Sequence, residues 1–184
     1  MIILASASPR RRELLKMLGL EFEIRPSEAE ENVPEGLSPE ETVMYLAKLK
    51  ADSVPGEVKK DDIIISADTI VVLEGEIFGK PSGAGEAEEM LEKLSGKTHA
   101  VYTGICVNGI QGYEKSLVTF KKLENREIRA YIQTGEPLDK AGAYGIQGKG
   151  ALFIERIEGD YFNIVGLPLC RLGKMLKSVG VTVI

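Results

Sequence analysis

The chain of 184 residues is long enough for one domain with a substantial core, and its composition, 43% hydrophobic and 28% charged, is typical of a globular protein. The net charge of −5 provides no overall basic surface for nucleic acid, and no apolar run approaches the roughly 20 residues that span a membrane. With one histidine and no CxxC motif, most zinc sites are excluded, and Cys106 and Cys170 are predicted to be buried free thiols. The first residues are apolar and basic residues follow them, whereas in a secretory signal the basic residues come first. This order predicts a cytoplasmic protein.

Apolar spacing and turn residues predict both strands and helices along the chain. The predicted elements are, in chain order, a short buried strand (1–5), a helix from Pro9 to Leu18 with Ser8 as its N-cap, a strand (21–27), an acidic loop (28–36), a helix from Pro39 to about Val54 that starts with a capping box, two apolar runs on either side of Ala67-Asp68-Thr69 (62–81), a helix (84–96), a hairpin of two strands (99–109 and 114–123), a helix (125–135), a glycine-rich loop that becomes a strand (141–157) and a closing helix (167–180). This mixture of βα alternation and hairpins predicts a mixed α/β domain.

Three consecutive arginines occupy the start of the first predicted helix. A helix amino terminus already bears partial positive charge, so each of these cations disfavours the helix by about 0.3–1 kcal/mol. Helical spacing places Arg11 on the apolar face around Leu14, Arg10 on the edge of that face and Arg12 away from it. Two interpretations are open: an arginine pair that binds carboxylates elsewhere in the fold, or a phosphate site built from helix N–H groups, serine hydroxyls and two arginines.

Lys50 lies near the centre of the apolar face of the second predicted helix, whereas Lys48 points outward. One interpretation is that the Lys50 stem packs on apolar surface while its ammonium reaches water. The alternative is an ammonium directed into a cleft.

Asp68 interrupts the apolar run IIISADTIVV, where a central strand would contain no charge. It is interpreted either as a bend or bulge in which Asp68 bonds its own backbone, or as a carboxylate displayed at a strand end. A displayed carboxylate could hold a divalent metal or activate water, and Thr69 would add a hydroxyl beside it.

The segment AYGIQGKG (143–150) resembles a phosphate-binding loop but does not match the P-loop pattern. Ala143 stands where the first glycine should be, Gly150 where serine or threonine should be, and the next stretch is strand-like. The segment is therefore interpreted as a backbone loop that lets a ligand approach closely, with the Gln147 amide as donor and acceptor. Lys80 lies in a Gly-Lys-Pro turn, which is a weak signal by itself.

These residues together suit a polyphosphate with Mg²⁺ or Mn²⁺, because they combine cations and carboxylates without a histidine cluster. The candidate cations are Arg10, Arg11, Lys50 and Lys80. The candidate carboxylates are Asp68 and the acidic-loop residues Glu28, Glu30 and Glu31. A single histidine disfavours covalent hydrolase chemistry of the Ser-His or Cys-His kind.

Several motifs resemble the Maf family of nucleoside triphosphate pyrophosphatases and follow the order found in that family. They are LASASPRRREL, the lysine of AKLKA, SADTIV, GKP, KAGAYGIQGKG and GDYFNIVGLPL, and they extend from Leu4 to Leu169. The resemblance implies a single domain over residues 1–184 with a mixed sheet and flanking helices, in an elongated two-lobed α/β fold with a central cleft, like the inosine-triphosphate pyrophosphatases. It also implies hydrolysis of a nucleoside triphosphate to the monophosphate and pyrophosphate with a divalent metal cation. A homodimer is an expectation from the family alone.

The resemblance further implies roles for individual residues. Asp68 would be the proton acceptor, and Glu31 would help Asp68 to hold the metal. The positions around the phosphates would be Ser6, Arg10, Lys50 and Lys80. The positions that match the branch acting on dTTP and UTP, as opposed to the branch acting on 7-methyl-GTP, are Arg11, Thr69 and Gln147.

A rival hypothesis is a non-catalytic nucleotide-binding regulator of cell division, since members of the family have been linked to arrest of septum formation. Such a regulator would bind nucleotide without turning it over. Among substrates, a modified uridine or thymidine triphosphate is an alternative to dTTP and UTP.

Overall fold

The computed structural model describes residues 1–184. The strands are β1 (Ile2–Leu4), β2 (Phe22–Ile24), β3 (Ile63–Leu73), β4 (Glu76–Phe78), β5 (Thr98–Val107), β6 (Ile110–Phe120) and β7 (Ile154–Glu158). The α-helices are α1 (Pro9–Met17), α2 (Pro39–Asp52), α3 (Ala84–Leu94), α4 (Asn125–Ile132), α5 (Tyr161–Val165) and α6 (Leu169–Ser178). Short 3₁₀ helices cover Glu136–Asp139, Ala141–Ala143 and Lys149–Phe153. None of the helices combines the length and apolar character that crossing a membrane requires.

All seven strands belong to one mixed sheet in the order β2-β1-β3-β5-β6-β7, with β4 paired to β3. β1 pairs in parallel with both β2 and β3, whereas β4 and β7 pair antiparallel with β3 and β6. Asn108 and Gly109 join β5 to β6 with φ values of 48° and 82°, as a two-residue type I′ hairpin requires. The predicted α/β class with a mixed sheet and flanking helices is therefore confirmed.

The chain divides into two compact units, and neither is a continuous segment. The first consists of Met1–Thr69, Thr103–Glu114 and Gly166–Ile184. The second consists of Ile70–Tyr102 and Lys115–Val165.

In the first unit, α2 lies directly against the backbone of β5. A Cβ on Gly104 would lie 2.1 Å from the carbonyl oxygen of Val43, so no residue with a side chain fits there without moving the helix. Beside this contact, Ser66 Oγ donates a hydrogen bond to the carbonyl of Ala47 at 2.5 Å. These contacts fix α2 on the sheet, and the one at Ala47 lies about one helical turn before Lys50.

The core of the second unit contains a fully buried histidine. Nε2 of His99 lies 2.8 Å from the hydroxyl of Tyr144, and its ring meets Phe120 edge-on at a centroid distance of 4.9 Å. Its other ring nitrogen, Nδ1, has no hydrogen-bond partner. Burial lowers the pKa of His99 to about 4, so the ring is neutral at physiological pH.

We expect this histidine to make the protein less stable as the pH falls from about 6.5 toward about 4. In that interval the unfolded state binds the proton and the folded state does not, so the free energy of unfolding decreases by about 2 kcal/mol between pH 8 and pH 5. Urea unfolding at the two pH values measures the change. His99→Phe is the control, because it keeps a ring and removes the titration. An equal pH dependence in wild type and variant would contradict the assignment.

Several boundaries differ from those that the sequence predicts. The strand predicted over 21–27 is confined to Phe22–Ile24, and a 3₁₀ helix over Lys149–Phe153 precedes the strand predicted in 141–157. The prediction of two buried thiols is wrong for Cys170, which is exposed, although Cys106 is buried. Cys170 lies in the first turn of α6, whose buried residues are Leu172, Met175 and Leu176.

Candidate active site

The amino terminus of α1 has the cap that the sequence predicts. Ser8 Oγ accepts a hydrogen bond from the Arg11 N–H at 3.5 Å, and Pro9 occupies the first helical turn. The N–H of Ser8 itself donates to Ser6 Oγ at 3.2 Å. Ser6, which follows β1 and is buried, is therefore held against the start of the helix.

The Arg11 guanidinium binds three separate parts of the first unit. Nε donates to the carbonyl of Gly166 at 2.8 Å, Nη1 to Ser6 Oγ at 3.3 Å and Nη2 to Thr69 Oγ1 at 3.1 Å. Arg12 is exposed, so the predicted helical phasing of these two arginines is confirmed. The carboxylate-bound interpretation is wrong for Arg11, because all three acceptors are neutral oxygen atoms.

The surroundings of Arg11 are strongly charged. Burial lowers the pKa of Arg11 and the neighbouring Arg10 acts in the same direction, while Asp68 and Glu31 act in the opposite direction. An arginine has five N–H donors and stays charged in proteins. The bonds described above use three of these donors.

Two residues that complete this arrangement were missed by sequence reasoning. Thr103 is buried in β5, and its hydroxyl lies 2.9 Å from Thr69 Oγ1. Gly166 has a φ of 119°, and a Cβ there would lie 3.3 Å from Thr69 Oγ1 and 3.6 Å from Arg11 Nε. The available signals were the threonine within HAVYTGICV and the second glycine of the motif GDYFNIVGLPL.

Asp68 lies inside a strand, which corrects the prediction of a strand end. β3 runs without a break from Ile63 to Leu73, so the two predicted apolar runs are one strand. Asp68 is 7% exposed, and a carboxylate buried to this degree requires a partner. Lys50 Nζ provides it, at 2.5 Å from Asp68 Oδ1.

Lys50 reaches this carboxylate from α2. Its Nζ also lies 3.0 Å from Oε1 of Glu31, whose side chain is half-exposed. The interpretation in which Lys50 reaches into water is therefore wrong. Lys48 forms its ion pair with Asp52 at the surface, at 2.5 Å, as its outward direction predicts.

The predicted site residues are distributed over both units. Within the first unit, hydrogen bonds join Ser6, Arg11 and Thr69, and ion pairs join Glu31, Lys50 and Asp68. The charges of Asp68 and Glu31 act on Arg11 and so place the two groups near each other. Arg10 lies half-buried next to Arg11 in the same unit. Lys80 and Gln147 belong to the second unit, where both are exposed.

Glu31 and Asp68 bind the same ammonium group, so their carboxylates lie close together. No group of three or more histidine, cysteine, aspartate or glutamate side chains is arranged to hold a metal ion. Mg²⁺ typically uses one or two carboxylates, together with substrate phosphates and water. The oxygen donors of Glu31 and Asp68 therefore fit a hard divalent cation, although two carboxylates alone do not complete its coordination.

Comparison with known proteins identifies the family. The family model described as "Maf-like protein" matches residues 1–179. The chain belongs to the Maf family. A relative from Bacillus cereus is 52% identical over 186 residues, which cover 99% of this chain and 97% of the relative. A relative from Caldicellulosiruptor saccharolyticus is 50% identical over 188 residues, covering 97% of this chain and 94% of the relative. Both relatives are named dTTP/UTP pyrophosphatase.

Membership of the Maf family confirms the resemblance that the sequence motifs indicate. The mixed α/β sheet with flanking helices is consistent with the fold of that family. The motif LASASPRRREL contains Ser6 and the arginines of α1, and the motif SADTIV contains Asp68 and Thr69. Ser6 and Arg11 from the first motif thus form hydrogen bonds with each other, and Arg11 also binds Thr69 from the later motif.

Proposed function

We propose that this Maf protein is a hydrolase acting on acid anhydrides, which cleaves dTTP and UTP to the nucleoside monophosphate and pyrophosphate. The observation that supports this function best is the buried Asp68 paired with Lys50, beside Glu31 and the arginine-rich start of α1. The names of the relatives support the choice of substrate. The rival hypothesis of a non-catalytic regulator is not favoured, because these relatives are named as enzymes.

In the proposed reaction, water attacks the α-phosphorus and the bond to the pyrophosphate breaks. Asp68 is the proposed proton acceptor. Its Oδ1 is bonded to Lys50, so Oδ2 is the atom that orients the water and takes its proton. The pyrophosphate leaves with the electron pair of the broken P–O bond.

The cations are proposed to bind the triphosphate and to offset the charge that develops on the leaving pyrophosphate. The proposed phosphate-binding residues are Ser6, Arg10, Lys50 and Lys80. The positive end of the α1 helix dipole favours an anion at the same place. In this proposal the arginines at the amino terminus of α1 bind the triphosphate, which accounts for their presence although each of them disfavours the helix.

Glu31 and Asp68 would hold a divalent cation, Mg²⁺ or Mn²⁺, which supplies positive charge to the phosphate oxygens when it is bound. Lys50 keeps the two carboxylates close together through its bonds to both. Asp68 thus serves both as proton acceptor and as metal ligand in this proposal.

Arg11, Thr69 and Gln147 are the residues proposed to set the base preference. Uracil and thymine present an N3–H donor beside carbonyl acceptors, and the Gln147 amide can pair with both kinds of group. The same amide could rotate by about 180° and pair with cytosine, so a second group must distinguish uracil from cytosine. Arg11 only donates, and it therefore favours the carbonyl of uracil over the amino group of cytosine.

The preference for dTTP and UTP is tested by kcat/KM for dTTP, UTP, CTP, ATP and GTP with Mg²⁺ or Mn²⁺, following release of monophosphate and pyrophosphate. We expect dTTP and UTP to be preferred, because a mismatched base leaves buried polar groups unpaired. Gln147→Ala and Thr69→Ala should each weaken this preference by about tenfold. Tight binding without turnover would support the regulator instead. Equal hydrolysis of CTP or ATP would contradict the assignment of the base-binding residues.

We also propose that residues 1–184 act as a single domain, because neither unit is formed by a continuous segment. The proposed partner is the nucleoside triphosphate, and the reaction involves neither nucleic acid nor a membrane. A cytoplasmic location is proposed from this substrate, and a homodimer is an expectation from the family alone.

A further inference from the structure

The glycine-rich segment 143–150 surrounds a carboxylate of the chain itself. Glu136 Oε2 accepts a hydrogen bond from the Lys149 N–H at 3.0 Å, and Oε1 accepts one from the Gly150 N–H at 3.3 Å. These N–H groups are the first two of the 3₁₀ helix Lys149–Phe153. Glu136 therefore occupies the position at which the sequence pattern suggested a ligand.

Tyr131 extends this network to the other side of Gln147. Its hydroxyl donates to Glu136 Oε1 at 2.9 Å and accepts a hydrogen bond from the Gly145 N–H at 3.1 Å. The segment is thus held two residues before Gln147, at Gly145, and again directly after Gly148. Gln147 itself is exposed between the two attachments.

The same contacts explain why glycines occur in this segment. A Cβ on Gly148 would lie 2.3 Å from Glu136 Oε1, and one on Gly150 would lie 2.7 Å from the Tyr131 hydroxyl. A Cβ on Gly145 would lie 2.7 Å from Cε of Lys140, whose Nζ donates to the Glu136 carbonyl at 2.6 Å. The space that these glycines leave is filled by side chains of the protein.

The Glu136 carboxylate has to be ionised for this role. Partial burial acts to raise its pKa, but the hydrogen bonds from Lys149, Tyr131 and Gly150 together outweigh burial and lower the pKa below its ordinary value. An ionised carboxylate only accepts hydrogen bonds. A glutamine in its place would turn an NH₂ donor toward one of the N–H groups that Glu136 binds.

We propose that Glu136 is a positioning residue that fixes the segment around Gln147 and thereby the base preference of the enzyme. This inference rests on the proposed role of Gln147 in base recognition. When glutamine replaces Glu136, one of the N–H groups of Lys149 and Gly150 loses its acceptor and the segment samples other conformations. Binding the base then requires Gln147 to be ordered first, which weakens binding more than it slows the chemical step.

The first test compares Glu136→Gln with Glu155→Gln, a matched control at an exposed glutamate of the same unit. Glu136→Gln should raise KM for dTTP and reduce the dTTP/CTP preference, each by about tenfold, while kcat changes little. Tyr131→Phe should act in the same direction with a smaller effect, because it removes one hydroxyl and keeps the ring. An unchanged KM and preference in Glu136→Gln would overturn the inference, as would a loss in kcat alone.

A second test separates this inference from the proposed role of Gln147. Amide hydrogen exchange of residues 145–150 should be faster in Glu136→Gln than in wild type and unchanged in Gln147→Ala. In a Gln147→Ala background, Glu136→Gln should cause no further loss of base preference. A full additional loss, or unchanged exchange, would overturn the inference. If exchange is faster but Gln147→Ala keeps the wild-type preference, positioning by Glu136 is supported and the proposed role of Gln147 fails.

Discussion

Asp68→Asn should lower kcat by about 10²–10⁴-fold, the usual contribution of a positioned general base. The amide has nearly the same shape as the carboxylate, but it cannot take a proton from water and has no negative charge to offer a metal. Lys50 keeps an anionic partner in Glu31, so we expect the fold to persist. The measurement is single-turnover release of pyrophosphate from dTTP, with circular dichroism and thermal unfolding as checks on folding.

The matched control is Asp52→Asn, which removes a carboxylate from the exposed ion pair with Lys48. This variant should keep wild-type turnover, because surface ion pairs contribute about 0–1 kcal/mol and Asp52 is not among the proposed site residues. Near-normal turnover in Asp68→Asn would remove Asp68 from the mechanism. The cluster of Lys50 and Glu31 would then have to act through another base.

Lys50→Ala should reduce kcat/KM by about 10²–10³-fold, within the range for removing one group that stabilises transition-state charge. The ammonium would no longer offset charge on the phosphates, and Asp68 and Glu31 would repel each other. Removing one partner of a buried pair also costs stability, by about 3–5 kcal/mol. Activity should therefore be measured well below the unfolding temperature of the variant, which thermal unfolding determines.

Lys48→Ala is the control for Lys50→Ala, since both lysines lie on α2 and both pair with an aspartate at 2.5 Å. We expect it to be nearly silent, because its side chain is 45% exposed and its partner is at the surface. Lys50→Arg separates charge from shape and should retain part of the activity. If Lys50→Ala turns over dTTP as fast as Lys48→Ala, the ammonium only neutralises Asp68.

Local features of the site could be predicted from the sequence because their causes are local. The Ser8 cap and the inward direction of Arg11 follow from residues within a few positions of one another. The capping box at Ser38 and Glu41 is predicted for the same reason. The family motifs then indicated which of these residues belong to one site.

Contacts between distant residues could not be predicted in this way. The apolar run around Asp68 marked it as unusual, but only the packing of α2 on the sheet decides that Lys50 is its partner. Thr103 and Glu136 were not singled out from the sequence, because hydroxyl and acidic side chains are common in such segments. Their importance comes from what other segments place beside them.

The three acceptors of Arg11 also have a consequence for the order of events during synthesis. Ser6 and Thr69 lie 5 and 58 residues from Arg11, but Gly166 lies 155 residues away. At ribosomal rates the last acceptor follows Arg11 by about 10–30 seconds. Until then the guanidinium must stay hydrated, because burying it without its partners is costly. The segment that forms α1 is therefore made long before its final surroundings, and the contacts of Arg11 are complete only once Gly166 has been added to the chain.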